Sequence, residues 1–267
     1  MKDLDRVTVI AIAALAYPLA NVVHEGLGHG GACLLLGARP TMFNAIFFNY
    51  DEGTASDLVQ RMISAAGSIV NAMVGLAVVA LLRSRARLSP RWRYFLWLFC
   101  AVNLLTAFGY LAYSGVGGIG DWARVIQGAR PAWLYRVMLI VLGGWLYLGV
   151  APRILMPLLD PFLGREAGAR VTRARVLSLV PYLAGSLSLV VAGLFNPLGI
   201  SITLISAVAA GLGGTSLLAW YPAIPRAPSA RATDPPLGVA RGIAWIAVAL
   251  IVMAVFVFVL GPGIGKL

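Results

Sequence analysis

Both histidines of this chain, His24 and His29, lie in its first hydrophobic segment, with Glu25 directly after the first of them. Of the ten acidic residues, only Glu25 and Asp121 lie in apolar surroundings, and the others lie near the termini or in predicted loops. Ionisable side chains at membrane depth are costly and mark functional sites. Imidazoles and a carboxylate can hold a metal ion while a second carboxylate moves protons. These four residues therefore carry the side chains of a zinc hydrolase site.

The two histidines are five residues apart, one more than in the metalloprotease motif H-E-x-x-H. In a regular α-helix five residues turn roughly 500°, which leaves the imidazoles about 140° apart and unable to share a metal ion. A one-residue π-bulge returns them to one face, and such bulges are frequent at functional sites. The spacing therefore predicts a π-bulge. Glycines, which tolerate local distortion, lie at 26, 28, 30 and 31.

The composition indicates which elements must position these residues. Hydrophobic residues make up 60% of the 267 residues and charged residues 12%, whereas soluble domains carry about 25% charged residues. The chain is therefore predicted to be an all-α polytopic membrane protein in the lipid bilayer. The net charge of +11 comes from arginines between apolar runs, which is typical of membrane loops and argues against a nucleic-acid partner.

A helix needs roughly 20 apolar residues to cross the bilayer core. Asn196-Pro197 predicts a hairpin in the long uncharged stretch 176–225, because the residue before proline disfavours the helical conformation. The sequence predicts seven spans, at about 7–36, 62–82, 94–114, 132–152, 176–195, 198–220 and 242–260.

The distribution of Lys and Arg predicts a cytoplasmic N-terminus and an outer C-terminus. With that orientation, 15 basic residues lie inside and 6 outside (Arg39, Arg61, Arg124, Arg130, Arg136 and Lys266). The inner ones are Lys2, Arg6, Arg83, Arg85, Arg87, Arg91, Arg93, Arg153, Arg165, Arg170, Arg173, Arg175, Arg226, Arg231 and Arg241. These arginine runs are interpreted as topogenic and lipid-facing. The Ala- and Arg-rich composition favours a bacterial inner membrane, and the apolar pattern running on to Leu36 argues against a cleaved signal peptide.

Residues 10–130 resemble the site-2 protease family of intramembrane metalloproteases. The first family motif is matched by His24-Glu25 and His29-Gly30, followed by Leu34-Leu35-Leu36-Gly37. The second, A-G-P-x-x-N, resembles residues 65–71, with Ser68 in place of proline. The third, N-x-x-P-x-x-x-x-D-G, resembles the stretch from Asn103 to Asp121, with Thr106 in place of proline and Trp122 in place of glycine.

The resemblance implies a zinc ion held by His24, His29 and Asp121, with Glu25 as the catalytic base. It assigns an oxyanion or substrate-binding role to Asn71 and Asn103. The implied substrate is a membrane-embedded or membrane-adjacent protein segment. The implied organisation is a protease-like core in 1–130 followed by further membrane helices in 131–267.

The segment from Thr41 to Tyr50 is aromatic, β-prone and too short to span as a helix. The family places a small membrane-associated sheet here, whose edge strand pairs with unwound substrate. Family active sites usually lie toward the cytoplasm. The charge count instead places His24 to His29 in the outer half of the first span.

The sequence also allows other hypotheses for the function and for single residues. One is a catalytically inactive protease-like regulator that binds membrane helices, and another is a metal or proton transporter. Asp121 alone could be a helix N-cap or a partner of Arg124. Asn71 and Asn103 could be interhelical hydrogen bonders. The sequence leaves the oligomeric state open.

Overall fold

The structure, a computed structural model, describes residues 3–84 and 86–265. Lys2, Arg85 and Lys266, which entered the charge count, lie outside the described residues. Within these described ranges, seven helices are long and apolar enough to cross a membrane, which confirms the predicted all-α polytopic class. These seven helices are α1 (Arg6–Leu35), α2 (Asp57–Arg83), α3 (Pro90–Gly117), α5 (Ala132–Leu163), α6 (Ala167–Gly193), α7 (Ile200–Ala223) and α8 (Ile243–Leu260). A short helix, α4 (Asp121–Val125), lies between α3 and α5.

The helices α1 and α3 form the centre of the bundle, since 67% of the residues in the most apolar stretch of each helix are buried. The corresponding share is 17% for α5 and α8, which lie at the periphery. Their outward side chains are large and apolar, for example Val141 and Leu250, both more than 60% exposed. A surface of this kind is stable in lipid and not in water.

The predicted hairpin between the fifth and sixth spans is confirmed. Helix α6 ends at Gly193 and α7 begins at Ile200. The Asn196 side chain holds the turn by accepting from the Leu198 backbone N–H at 2.7 Å and donating to the Gly199 carbonyl at 3.1 Å.

The helix that contains the predicted fourth span extends beyond the predicted bound at about residue 152. Helix α5 continues to Leu163 and carries Arg153 inside it. The π-helical segment Trp145–Val150 precedes Pro152, and a local change of this kind re-satisfies backbone groups that a proline frees in a membrane helix. Proline therefore did not end the helix.

The arginines before the predicted fifth span were interpreted as lipid-facing loop residues. This interpretation was wrong for Arg170 and Arg173. Helix α6 begins at Ala167, earlier than predicted, and these two side chains are only 8% and 4% exposed. Asp160, assigned to a loop, lies in α5 and is 1% exposed. Burial is possible because Asp160 and Arg170 form an ion pair across the tight turn between α5 and α6.

The β-prone segment after α1 forms a hairpin of β1 (Arg39–Phe43) and β2 (Phe48–Asp51), as predicted. A third strand, β3 (Ile264–Gly265), comes from the end of the described chain and pairs antiparallel with β1. The strand order is β2-β1-β3, so β2 lies at an edge of the sheet.

Basic segments from different loops meet at one end of the bundle. Arg91 donates to the carbonyls of Ala240 and Arg241, and Arg173 pairs with Asp3 at 2.7 Å. The helix polarity places the hairpin, α4 and the end of α1 at the other end.

Candidate metal centre

The segment Val23–Gly30 in the middle of α1 is π-helical, as the extra residue in the motif predicted. A wider turn places residues five apart on one face. His24 and His29 consequently face each other, with 3.2 Å between their Nε2 atoms. Both side chains are buried.

Asp121 reaches the histidines because two glycines turn the chain sharply after α3. Gly118 and Gly120 have φ values of +66° and +83°, a left-handed conformation that side chains with a Cβ rarely adopt. Gly120 occupies the N-cap position of α4 and Asp121 is the first helical residue, so Asp121 is not the cap. Arg124 instead donates to Asp57 at 3.0 Å and to Gln127 at 2.7 Å.

Three ligand-type atoms converge in this way. Oδ2 of Asp121 lies 3.2 Å from Nε2 of His24 and 3.3 Å from Nε2 of His29. Together with the 3.2 Å between the imidazoles, they form a nearly equilateral triangle. His24, His29 and Asp121 could therefore hold a metal ion.

The triangle fits a tetrahedral metal ion in size. Ligand atoms at 2.0–2.1 Å from a tetrahedral zinc are about 3.3 Å apart. Lone pairs of two imidazoles and a carboxylate repel one another at such distances unless a cation or protons lie between them. The donor set of two nitrogens and one oxygen leaves a fourth position free, as in catalytic zinc sites.

A hydrogen bond orients the His29 imidazole, and a glycine leaves space for both imidazoles. Nδ1 of His29 lies 2.8 Å from the Ile63 carbonyl oxygen, so a proton on Nδ1 leaves Nε2 free as a ligand. Gly67 of α2 supports the imidazoles, because a Cβ there would lie 2.6 Å from Nε2 of His29. A Cβ at Gly28 would come similarly close to the Gly67 backbone. Gly67 is therefore a close-packing site.

Burial raises the pKa of Asp121, but the neighbouring His29 and His24 imidazoles lower it more. The net effect holds the pKa of this carboxyl well below its usual range. This direction favours the ionised carboxylate, which is the form in which Asp121 could bind a metal ion.

Glu25 lies beside the triangle and is not one of its three ligands. Its side chain is buried and lines a cavity of about 320 Å³ together with the two histidines and Asp121. The β2 residues Phe48 and Tyr50 form one wall of this cavity. A carboxylate next to a metal position and open to a cavity can exchange protons with a molecule bound there.

The sequence did not predict the contributions of two helices, α3 and α7, to the cavity. Tyr110 of α3 contacts His24 edge-to-face, with ring centroids 5.5 Å apart. Ile202 and Ser206 of α7 also line the cavity. No local motif marks these residues, since they come from helices distant in sequence that meet only in the folded bundle.

Asn71 and Asn103 are not among the described residues that line the cavity. Both are buried in the helix pair α2 and α3. Asn103 donates to the Phe99 carbonyl at 2.8 Å, and the Asn71 amide has no hydrogen-bond partner among the described residues. Their assignment to oxyanion or substrate binding stays a prediction.

Comparisons of the chain with protein-family models, with curated proteins and with solved structures found no match.

Proposed function

We propose that this integral, multi-pass membrane protein is a zinc-dependent intramembrane protease that hydrolyses peptide bonds of membrane-embedded or membrane-adjacent protein segments. The observation that carries the proposal is the triangle of His24, His29 and Asp121, whose edges of 3.2 to 3.3 Å match a tetrahedral zinc ion. A separate buried carboxylate, Glu25, lies in the same cavity.

Zinc is the metal that we propose here, because two imidazole nitrogens and one carboxylate oxygen form a common catalytic zinc environment. When bound, zinc supplies a Lewis acid and lowers the pKa of a coordinated water to about 7. The chain supplies the ligands, and it orients one of them through the hydrogen bond between His29 and the Ile63 carbonyl.

Glu25 is the residue that moves protons. Its carboxylate accepts a proton from the attacking water and later donates it to the leaving amine nitrogen. The buried position of Glu25 excludes bulk water from this transfer.

The edge strand β2 provides a surface for an extended peptide. Its residues Phe48, Asn49 and Tyr50 line the metal cavity, and β1 pairs with it on one side only. A substrate segment added beside β2 would present its backbone, unwound, next to Glu25. A helix cannot be cut without such unwinding, because its backbone groups are engaged in intrahelical hydrogen bonds.

The charge distribution favours a cytoplasmic N-terminus in a bacterial inner membrane, which places the metal centre at the outer end of the bundle. A topology reporter fused after Gly53 tests this placement. We expect an outer signal, and a cytoplasmic signal would invert the orientation.

The primary test of the proposal is the metal content of the purified protein. We expect about one zinc per chain in the wild type and none in H29A or D121A. The matched control is E52Q, which alters a carboxylate that lines the same cavity but belongs to no ligand triangle. Wild-type protein without zinc, even after reconstitution, would contradict the proposed site.

Activity is tested with E25Q in liposomes that contain a reporter membrane segment. We expect E25Q to retain zinc and to cleave about 10²- to 10⁴-fold more slowly than the wild type. Zinc bound by a wild type that cleaves no segment would favour the inactive regulator. Metal or proton flux through the liposome membrane would favour the transporter.

A further inference from the structure

A second cavity, of about 440 Å³, lies far from the metal centre. It is bounded by the end of α5, the start of α6 and the segment 221–228 that follows the main part of α7. Tyr221 at the end of α7 lines it, whereas Ile202 near the start of α7 lines the metal cavity. The two cavities therefore lie at opposite ends of the same helix.

The cavity is held open by the structure around it. Asp160 and Arg170 lie on one side, and the Ser229 backbone N–H donates to Oδ2 of Asp160 at 2.9 Å. This bond ties the segment 222–228 to α5. The segment contains Pro222, Pro225 and Pro228, whose fixed φ angles limit its movement.

The lining has an excess of positive charge. Among the described residues, the cavity is lined by Arg165, Arg170 and Arg226 and by a single acidic residue, Asp160. Both carboxylate oxygens of Asp160 are already engaged, one by Arg170 at 2.5 Å and the other by Ser229. Arg165 and Arg226 form no ion pair with an acidic side chain in the described part of the chain. Two cations at the cavity are therefore uncompensated.

The remaining walls are apolar. Leu159 and Leu163 of α5, Val171 of α6 and Ile224 line the cavity. The cavity lies at the arginine-rich end of the bundle, where the membrane-spanning helices end and phospholipid headgroups begin. Uncompensated guanidinium groups beside apolar walls at this level match a molecule that has both a phosphate and an acyl chain.

We propose that this cavity is a binding site for an anionic glycerophospholipid. Arg165 and Arg226 bind the phosphate group, which guanidinium forks can contact in bidentate geometry. The acyl chains leave the cavity along the apolar walls. Basic pockets between membrane helices bind lipid headgroups in this manner. The site is independent of the proposed proteolysis, since none of its residues lines the metal cavity.

The test is lipid binding by the full-length protein in neutral detergent, followed by native mass spectrometry and thermal unfolding. The probes are phosphatidylglycerol, phosphatidylcholine and inorganic phosphate. We expect phosphatidylglycerol to bind and to raise the unfolding temperature, whereas phosphatidylcholine and inorganic phosphate have little effect. The double variant R165Q/R226Q should bind phosphatidylglycerol at least about tenfold more weakly.

The matched control is R83Q/R87Q, which removes the same charge from exposed residues outside the cavity. Control binding equal to the wild type supports the cavity, and an equal loss in both double variants would overturn it in favour of general surface charge. Equal stabilisation by inorganic phosphate would overturn the lipid assignment. The variant R165K/R226K keeps the positive charges but lacks the guanidinium groups. If it binds phosphatidylglycerol as tightly as the wild type does, the proposed bidentate contact is overturned.

Discussion

Two clusters of ionisable side chains, most of them buried, lie at opposite ends of the bundle and differ in how their charges are compensated. In the first, which we call the arginine cluster (Asp3, Asp160, Arg170 and Arg173), every charge has a partner. Arg170 donates to Asp160 at 2.5 Å, and Arg173 donates to Asp3 at 2.7 Å and to the Leu237 carbonyl at 2.6 Å. This cluster joins α5 and α6 to the N-terminus and to the segment before α8.

In the second, the metal cluster of His24, His29 and Asp121, three ligand atoms point at one another across 3.2 to 3.3 Å. No lysine or arginine of the described chain pairs with Asp121. The pair Asp160 and Arg170 is buried to a similar extent as His24 and His29, so burial alone does not separate structural from functional ionisable groups. Three convergent ligand atoms without a lysine or arginine partner in the described chain distinguish the metal cluster.

The largest expected effect is on folding, at the arginine cluster. D160A leaves the buried Arg170 without its carboxylate partner, and we expect the free energy of unfolding to fall by about 3–5 kcal/mol. Thermal and denaturant unfolding in detergent measure this loss. The zinc content of the folded fraction should be unchanged, since the metal cluster lies at the other end.

The double variant D160L/R170L is the control for that prediction. It removes both charges at once, and apolar replacement of a buried pair costs much less than removal of one partner. A double variant as unstable as D160A would show that the stranded charge is not the cause.

The next effect is on metal binding, at the metal cluster. H29A removes one ligand, and we expect zinc affinity to fall by more than about 100-fold, beyond the range for outer-shell changes. The metal-free variant should lose less stability than D160A, because Asp121 is more exposed than Arg170 and keeps His24 as a neighbour. Zinc titration and unfolding in chelator measure the two quantities. A larger stability loss in H29A than in D160A would break the distinction between the clusters.

A smaller effect is expected at Gly67, which supports the imidazoles. A Cβ in G67A would lie 2.6 Å from Nε2 of His29, so the ring must move and the ligand triangle must open. We expect zinc affinity to fall about 10- to 100-fold, the range for residues that orient ligands. The control is G144A in α5, where a Cβ meets no atom within 4 Å and zinc binding should be unchanged.

The smallest effect concerns an ionisable residue that belongs to neither cluster. Asp5 caps α1 by accepting from the Thr8 N–H at 3.0 Å and from the Thr8 hydroxyl at 2.6 Å. D5A should lower the free energy of unfolding by about 1 kcal/mol, while D5N, which can still cap, should lower it less. Unfolding at pH 7 measures both changes.

The Thr8 hydrogen bond lowers the pKa of Asp5 below its ordinary value. A lowered pKa means that this stabilisation is fully present above the ordinary value, about 3.9, and is lost as the pH falls through the folded-state value. The difference between wild type and D5A should therefore shrink in acid. A difference that stays constant down to pH 2 would contradict the role of the ionised carboxylate.

Local patterns allowed the sequence to predict much of the fold. Seven apolar runs predicted seven membrane helices, and Asn196-Pro197 predicted the hairpin between α6 and α7. The extra residue between His24 and His29 predicted the π-helical segment. Each of these features depends on neighbouring residues, so the covalent order of the chain determines it.

Features that depend on distant residues could not be predicted. The sequence assigned Asp160 and Arg170 to a loop because nothing local shows that each neutralises the other. Tyr110 and Ile202 reach the metal cavity only after α3 and α7 pack around α1. Their types are common in membrane helices, and no spacing distinguishes them.

The sequence by itself therefore determined the membrane-spanning class, the helix boundaries within a few turns and the facing histidines, because hydrophobicity and helical period act over short ranges. Only the tertiary structure decided that Asp121 completes the triangle, that β3 joins the hairpin and that the arginine cluster is neutralised internally. The physical reason is that lone pairs and charges interact strongly only within a few ångströms, and packing alone sets those distances.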